Sequence, residues 1–185
     1  MRNVLMVVSG PSGVGKGTLV KALTKKRSDL VESVSCTTRA PRENEIHGRE
    51  YYFISKDEFI KRVADGDFLE YDEHFGNFYG TPKSFVKEQL QEKSVVLEID
   101  VIGGLNAKKA FSECVLIMIA PPSIEKLKQR LVSRNTESAD EIENRMSRLE
   151  FELSKKDEYD YVVVNDDLTV ALEELEKIFE NEKNK

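Results

Sequence analysis

Apolar residues along this chain fall into short, nearly uninterrupted runs separated by longer stretches of mixed polarity. Val4 to Ser9, Val95 to Asp100 (VVLEID), Val115 to Ile119 (VLIMI) and Tyr161 to Val164 (YVVV) are rich in β-branched or apolar side chains. Such runs are the pattern of strands buried on both faces. Between them, amphipathic spacing predicts helices over Lys16 to Lys26, Lys83 to Glu92, Ser123 to Arg134, Ala139 to Asp157 and Leu168 to Glu180. Strands that alternate with helices imply crossover connections and a parallel sheet, so the fold class is α/β. Helix-start chemistry agrees: Pro82 suits a first turn, Ser138 stands three residues before Glu141 in capping-box spacing, and Asp167 precedes the last helix. The polar ENEKNK at the C-terminal end is expected to fray.

Two stretches break the alternation. From Ser35 to Thr81, turn residues separate short aromatic strands, as in a small inserted lobe. From Ile124 to Arg148, arginines and acidic residues mark a surface helical hairpin. No internal repeat or low-complexity linker interrupts the rest.

The chain has 185 residues, enough for one domain with a real core. No apolar run is long enough to span a bilayer as a helix, and the N-terminal run lacks the form of a signal peptide. Against 34 acidic residues stand 28 Lys and Arg, a formal charge of −6 that opposes general nucleic-acid binding. Phosphate chemistry must therefore be local. Cys36 and Cys114 lack metal-ligand spacing and read as reduced thiols, which favours a cytoplasmic protein.

One local phosphate signal is strong. GPSGVGKGT follows the first strand and opens the first helix, matching GxxxxGK at Gly10, Gly15 and Lys16. In such a loop glycines turn backbone amides inward as an anion nest, the helix N-terminus adds positive potential, and the lysine reaches the terminal phosphates. The candidate ATP cradle is Gly10, Pro11, Ser12, Gly13, Val14, Gly15, Lys16, Gly17 and Thr18. Gly17 stands where a magnesium-ligating hydroxyl is usual, which leaves Thr18 as the nearest substitute, with magnesium held in part through water. Asp100, at the end of VVLEID, could order magnesium or serve as an ordinary turn residue.

The inserted segment concentrates Arg39, Arg42 and Arg49 beside Tyr51 and Tyr52. Guanidinium forks and phenol hydroxyls suit a phosphate monoester, whereas Glu43, Glu45 and Glu50 offer these arginines ordinary surface partners. Further on, Arg130 and Arg134 share a helix face, and Arg145 and Arg148 share another. His47 and His74 have no evident nucleophilic partner. Cys36 lies where a bulky thiol reagent would obstruct the segment.

SCTTRAPRENEIHGREYYF resembles the guanylate kinase signature, and FLEYDEHFGNFYGTP, VVLEIDVIGG, RLVSRNTES and EYDYVVVNDD extend the likeness almost from end to end. The resemblance implies a P-loop NTPase-type parallel sheet flanked by helices, with a mixed α/β lobe binding a nucleoside monophosphate and a helical lid. Its implied divisions are a core of 1–34, 82–123 and 149–185, a GMP-binding lobe of 35–81 and a lid of 124–148. It implies transfer of the γ-phosphoryl of ATP to GMP, giving ADP and GDP, with magnesium. Arg39, Arg42, Tyr51 and Tyr79 would hold the GMP phosphate, and Ser35, Glu70, Thr81 and Asp100 would surround the guanine. Lys16, Arg39, Arg134 and Arg145 would be catalytic, with Arg130, Arg134 and Asn165 on the ATP side. Arg148 is matched to no functional position of the family, and ordinary pairing with acidic residues on exposed helices, among Glu137, Glu141 and Glu152, is its expected fate.

Chemistry supports Glu70 independently. Guanine presents N1–H and its N2 amine side by side, two donors for one carboxylate, where adenine presents a lone pair. Two other readings share parts of this pattern: a non-catalytic module of the same fold gripping a phosphorylated peptide, and another nucleoside monophosphate kinase.

Overall fold

The central strand explains the architecture. In β1 (Leu5–Ser9) every residue is buried. Val4, Met6 and Val8 enter one apolar cluster while Leu5 and Val7 enter another on the opposite face. An alternating chain can do this only when both faces of the sheet are covered, which is why the sequence shows no polar alternation.

The computed structural model describes residues 2–74, 76–127 and 148–185. Arg130, Arg134, Arg145 and the Ser138–Glu141 capping box lie outside those residues. After β1 come α1 (Lys16–Lys26), β2 (Leu30–Glu32), β3 (Cys36–Thr37), β4 (Tyr52–Phe53), α2 (Lys56–Ala64), β5 (Phe68–His74) and β6 (Asn77–Pro82). Then follow α3 (Lys83–Glu92), β7 (Ser94–Glu98), α4 (Val101–Ala110), β8 (Val115–Ala120), β9 (Tyr161–Val164) and α5 (Leu168–Lys183). Residues 124–127 and 148–154 are also helical.

Five strands form a sheet in the order β2-β7-β1-β8-β9, and all its pairings are parallel. One face is covered by α1 and α5, through Leu19, Leu23, Leu175 and Phe179, the other by α3 and α4, through Val86, Val101 and Ala107. Because β7 lies between β1 and β2 while β8 lies on the other side of β1, connections diverge on the two sides of β1. Open α/β sheets bind ligands at such a point, outside the carboxyl ends of the strands.

The second sheet, β4-β3-β6-β5, is mixed. It closes over Cys36, Phe59 and Phe68, with the Phe59 and Phe68 rings stacked 4.5 Å apart between centroids. Cys36 is fully buried and burial pushes its thiol up to about 11. A thiol reagent therefore meets neither an accessible sulfur nor a thiolate there, contrary to the reading of Cys36 as an obstruction site.

Three local features depart from the sequence reading. Helices α2 and α4 were not anticipated: the two glycines of VIGGLNAKKA weaken a helical reading, and α2 buries only Phe59. The strand ends at Glu98 instead of Asp100, because Asp100 caps α4 by accepting the Gly103 amide at 2.7 Å. The terminal ENEKNK does not fray from its start; α5 continues to Lys183, whose ammonium binds Asp29, while buried Glu182 accepts from Tyr161 at 2.6 Å.

Asp167 caps α5 as expected, its carboxylate accepting from the Thr169 and Val170 amides at 2.8 and 3.1 Å. Asp167→Ala should cost about 1 kcal/mol of stability by urea denaturation, while Asp167→Asn should cost much less.

Candidate active site

The first site is built by the turn from β1 into α1. Gly10, Gly13 and Gly15 take φ of 145°, 84° and 95°, a region open to glycine at little cost. Gly10 is also fixed by space, since a Cβ there would stand 2.2 Å from the Ile119 carbonyl oxygen. Lys16 Nζ donates to the carbonyl oxygens of Gly10 at 2.6 Å and Pro11 at 3.1 Å. Burial pushes this ammonium below its ordinary pKa, opposed by the carboxylates of Glu98, Glu152 and Asp100. A cleft of about 540 Å³ opens here, lined by Ser12, Gly13, Lys16, Thr18, Lys21 and Glu98.

Asn165 lies behind the loop. Its side-chain amide donates to the Val14 carbonyl at 2.7 Å, and it fills the space beside Gly15. This contact braces the loop that would cradle phosphates. Glu98 lines the same cleft and is a candidate that sequence reasoning missed. At the end of β7 it faces Gly17 so closely that a Cβ at 17 would sit 3.0 Å from Glu98 Oε2. The signal was present in VVLEID, where an acidic residue interrupts an otherwise apolar strand two positions before Asp100.

The second site lies on the mixed sheet. Antiparallel pairing sets Glu70 of β5 opposite Thr81 of β6. Thr81 Oγ1 donates to Glu70 Oε1 at 2.7 Å, and Ser35 Oγ lies 3.3 Å from the same hydroxyl. Three of the four residues assigned to guanine thus form one hydrogen-bonded chain. The fourth, Asp100, is close enough to act on Glu70 electrostatically. Glu70 is 8% exposed, and burial pushes its carboxyl up to about 7, with Thr81 acting in the opposite sense.

The residues assigned to the acceptor phosphate are partly assembled. The Arg39 guanidinium stands 5.7 Å from the centroid of Tyr51, whose ring packs edge-on against Tyr79 at 5.9 Å. Hydrogen bonding to Glu45 first, and to Tyr79 after it, holds Arg39 above its ordinary pKa. Arg39 Nη2 donates to both carboxylate oxygens of Glu45 at 2.9 and 3.0 Å, the pairing that the acidic neighbours had offered, while Nη1 donates to the Ala40 carbonyl at 2.8 Å. Arg42 contributes its backbone amide to the same carboxylate at 2.8 Å, and its side chain is exposed. Arg49 pairs with Glu50 at 2.6 Å. His47 accepts the Phe53 amide at Nδ1, and its ring packs against Tyr52 and Phe53. Among the described residues no cluster of three or more His, Cys, Asp or Glu forms a metal site, and no helix is long and apolar enough to cross a membrane.

Comparison with known proteins gives one consistent result. The family model described as guanylate kinase matches residues 2–182. A guanylate kinase of Clostridium perfringens (strain SM101) is 47% identical over 183 residues, covering 98% of this chain and 85% of that protein. One of Bacillus subtilis (strain 168) is 46% identical over 179 residues, covering 96% and 88%. The crystal structure of guanylate kinase from Anaplasma phagocytophilum superposes with a TM-score of 0.78 at 33% identity, covering this whole chain and 88% of that one.

Glu70 carries a stability prediction with a definite sign. A carboxyl whose ordinary pKa of 4.5 rises to about 7 on folding stabilises the fold at low pH and loses that contribution as pH rises through this window. Glu70→Gln should therefore melt several degrees above the parent at about pH 8, with the gap closing near pH 4. A gap that does not change with pH in a calorimetric series would contradict the buried, proton-linked carboxyl.

Proposed function

The chain belongs to the guanylate kinase family, and from that premise we propose that its two sites carry γ-phosphoryl transfer from ATP to GMP, giving ADP and GDP. The observation that carries the reading is buried Glu70, which accepts from the Thr81 hydroxyl, itself hydrogen-bonded to Ser35. A carboxylate in such a place accepts both N1–H and the N2 amine of guanine. Adenine would leave it facing a lone pair, which a polar pocket penalises strongly.

Each group then has a physical task. Loop amides and Lys16 hold the β- and γ-phosphates of ATP, with Asn165 keeping the loop in shape. Arg39, Arg42, Tyr51 and Tyr79 take the GMP phosphate, which must displace Glu45 from the Arg39 fork. Arg134 and Arg145, with Arg130, supply charge to the transferring group from the lid at 124–148. Transfer demands in-line positioning and positive charge on the equatorial oxygens more than covalent help. Closure of the lobe at 35–81 and of the lid over the core excludes water, which would otherwise divert ATP to hydrolysis.

Kinases of this family use ATP, which implies a divalent metal, and we assign magnesium. The donor set fits: the open space at Gly17 is filled by the Glu98 carboxylate instead of a loop hydroxyl, with Thr18 beside it. Glu98 and Thr18 would hold the ion, directly or through water, and the ion would neutralise charge shared between phosphate oxygens. A reduced cytoplasm suits the two free cysteines.

The test is ADP formation with ATP, magnesium and each nucleoside monophosphate in turn. GMP should be turned over far faster than AMP, CMP or UMP; equal rates with AMP would overturn the guanine assignment. Tight phosphopeptide binding with no turnover would favour an interaction module. Lys16→Ala should lower kcat at least a hundredfold. Glu70→Gln should reduce the preference for GMP over AMP by about a hundredfold, read as the ratio of kcat/KM values.

A further inference from the structure

One polar network remains outside this assignment. Arg148, in the helical residues 148–154, reaches in two directions. Its Nε donates to Glu152 Oε1 at 2.8 Å one turn along the same helix, and Nη2 binds Asp100 Oδ2 at 3.0 Å. The expected pairing with Glu152 is present, and the contact with Asp100 is additional. Asp100 is held from both sides: Oδ2 by Arg148, and Oδ1 by the Gly103 amide at 2.7 Å.

The first turn of α4 sits directly against the base-reading carboxylate. A Cβ on Gly103 would lie 3.3 Å from both Asp100 Oδ1 and Glu70 Oε2. Whatever orients Asp100 therefore acts on the floor beneath Glu70. The same strand-to-helix junction is pinned independently by Tyr159, whose hydroxyl donates to the Val101 carbonyl at 2.9 Å. Glu152, 4% exposed, extends the network toward the phosphate lysine: Lys16 and Asp100 both act on it electrostatically.

We propose that Arg148 is a positioning residue for base recognition: by gripping Asp100 from the far helix, it fixes the turn beneath Glu70 and offsets the negative charge there. The proposal rests on the assignment of Glu70 to guanine. Its charge logic is explicit. Glu70 is faced by Asp72 from its own strand, by Thr81 from β6 and by Asp100 from α4. Asp100 in turn faces Arg148, Glu152, Lys16 and Tyr159. Removing the guanidinium takes one positive charge away from Asp100, so Glu70 would hold its proton to higher pH, and a protonated Glu70 cannot accept both guanine donors.

Glu152 complicates the obvious variant, since Arg148→Ala would strand a buried charge. The test therefore compares Glu152→Gln with Glu152→Gln/Arg148→Ala and Glu152→Gln/Arg148→Lys, measuring GMP binding by calorimetry without ATP from about pH 6 to 9. Loss of Arg148 should weaken GMP binding about tenfold near neutral pH, and move the acid limb of binding upward by about one pH unit. Lysine should recover more than half of the shift, and ATP affinity should change less than twofold. In an Asp100→Asn background the Arg148 substitution should have less than a twofold effect.

An unmoved pH limb, equal losses for ATP and GMP, or a full effect without Asp100 would each overturn the proposal. Failure of the underlying assignment looks different: Glu70→Gln alone would then leave the affinity for GMP and its pH dependence unchanged.

Discussion

The site exists because a strand buried on both faces ends where no side chain can follow. β1 is closed in by β7 and β8, so the chain leaving it passes against the Ile119 carbonyl, too near at Gly10 for any Cβ. That close approach turns the backbone and directs it into α1, with Lys16 at its first position. The apolar runs of the sequence and the phosphate loop thus express one constraint. Packing of the sheet decides where the loop stands, and glycine is the residue that can meet the requirement.

Around that loop the protein concentrates charge that its composition would not lead one to expect. A chain of formal charge −6 places Lys16 among Glu98, Glu152 and Asp100, and sets Arg148 across two of them. Burial acts most on Lys16 and Glu70: Lys16 is pushed toward its neutral form and Glu70 toward its protonated form. On the proposed reading, phosphate beside Lys16 and the guanine donors beside Glu70 would draw both groups back to their charged forms. A binding pocket that stabilised the free protein fully would leave its polar groups satisfied, and the base would gain nothing by entering.

Much of the fold was legible. The runs at β1, β7, β8 and β9 and the helices α1, α3 and α5 are visible because buried parallel strands and amphipathic helices leave strong, different periods. The edge strand β2, three residues long, and α4, with two glycines, leave weak ones. Glu98 and Arg148 were harder still. Each has an ordinary reading, as a strand-end carboxylate and as half of a helical ion pair, and nothing in one dimension shows that Glu98 fills the space at Gly17 or that Arg148 reaches Asp100 across 48 positions.

By itself, then, the sequence determined the α/β class, the phosphate loop and the signature of the inserted lobe, because each depends on residues adjacent in the chain. Tertiary structure decided which polar groups meet. Glu70 and Thr81 are eleven residues apart and become partners only through the β5–β6 register, and Asn165 reaches the loop only because β9 lies beside β8. Burial, and with it the raised pKa of Glu70, depends on the whole surrounding packing, a property that no local stretch of chain contains.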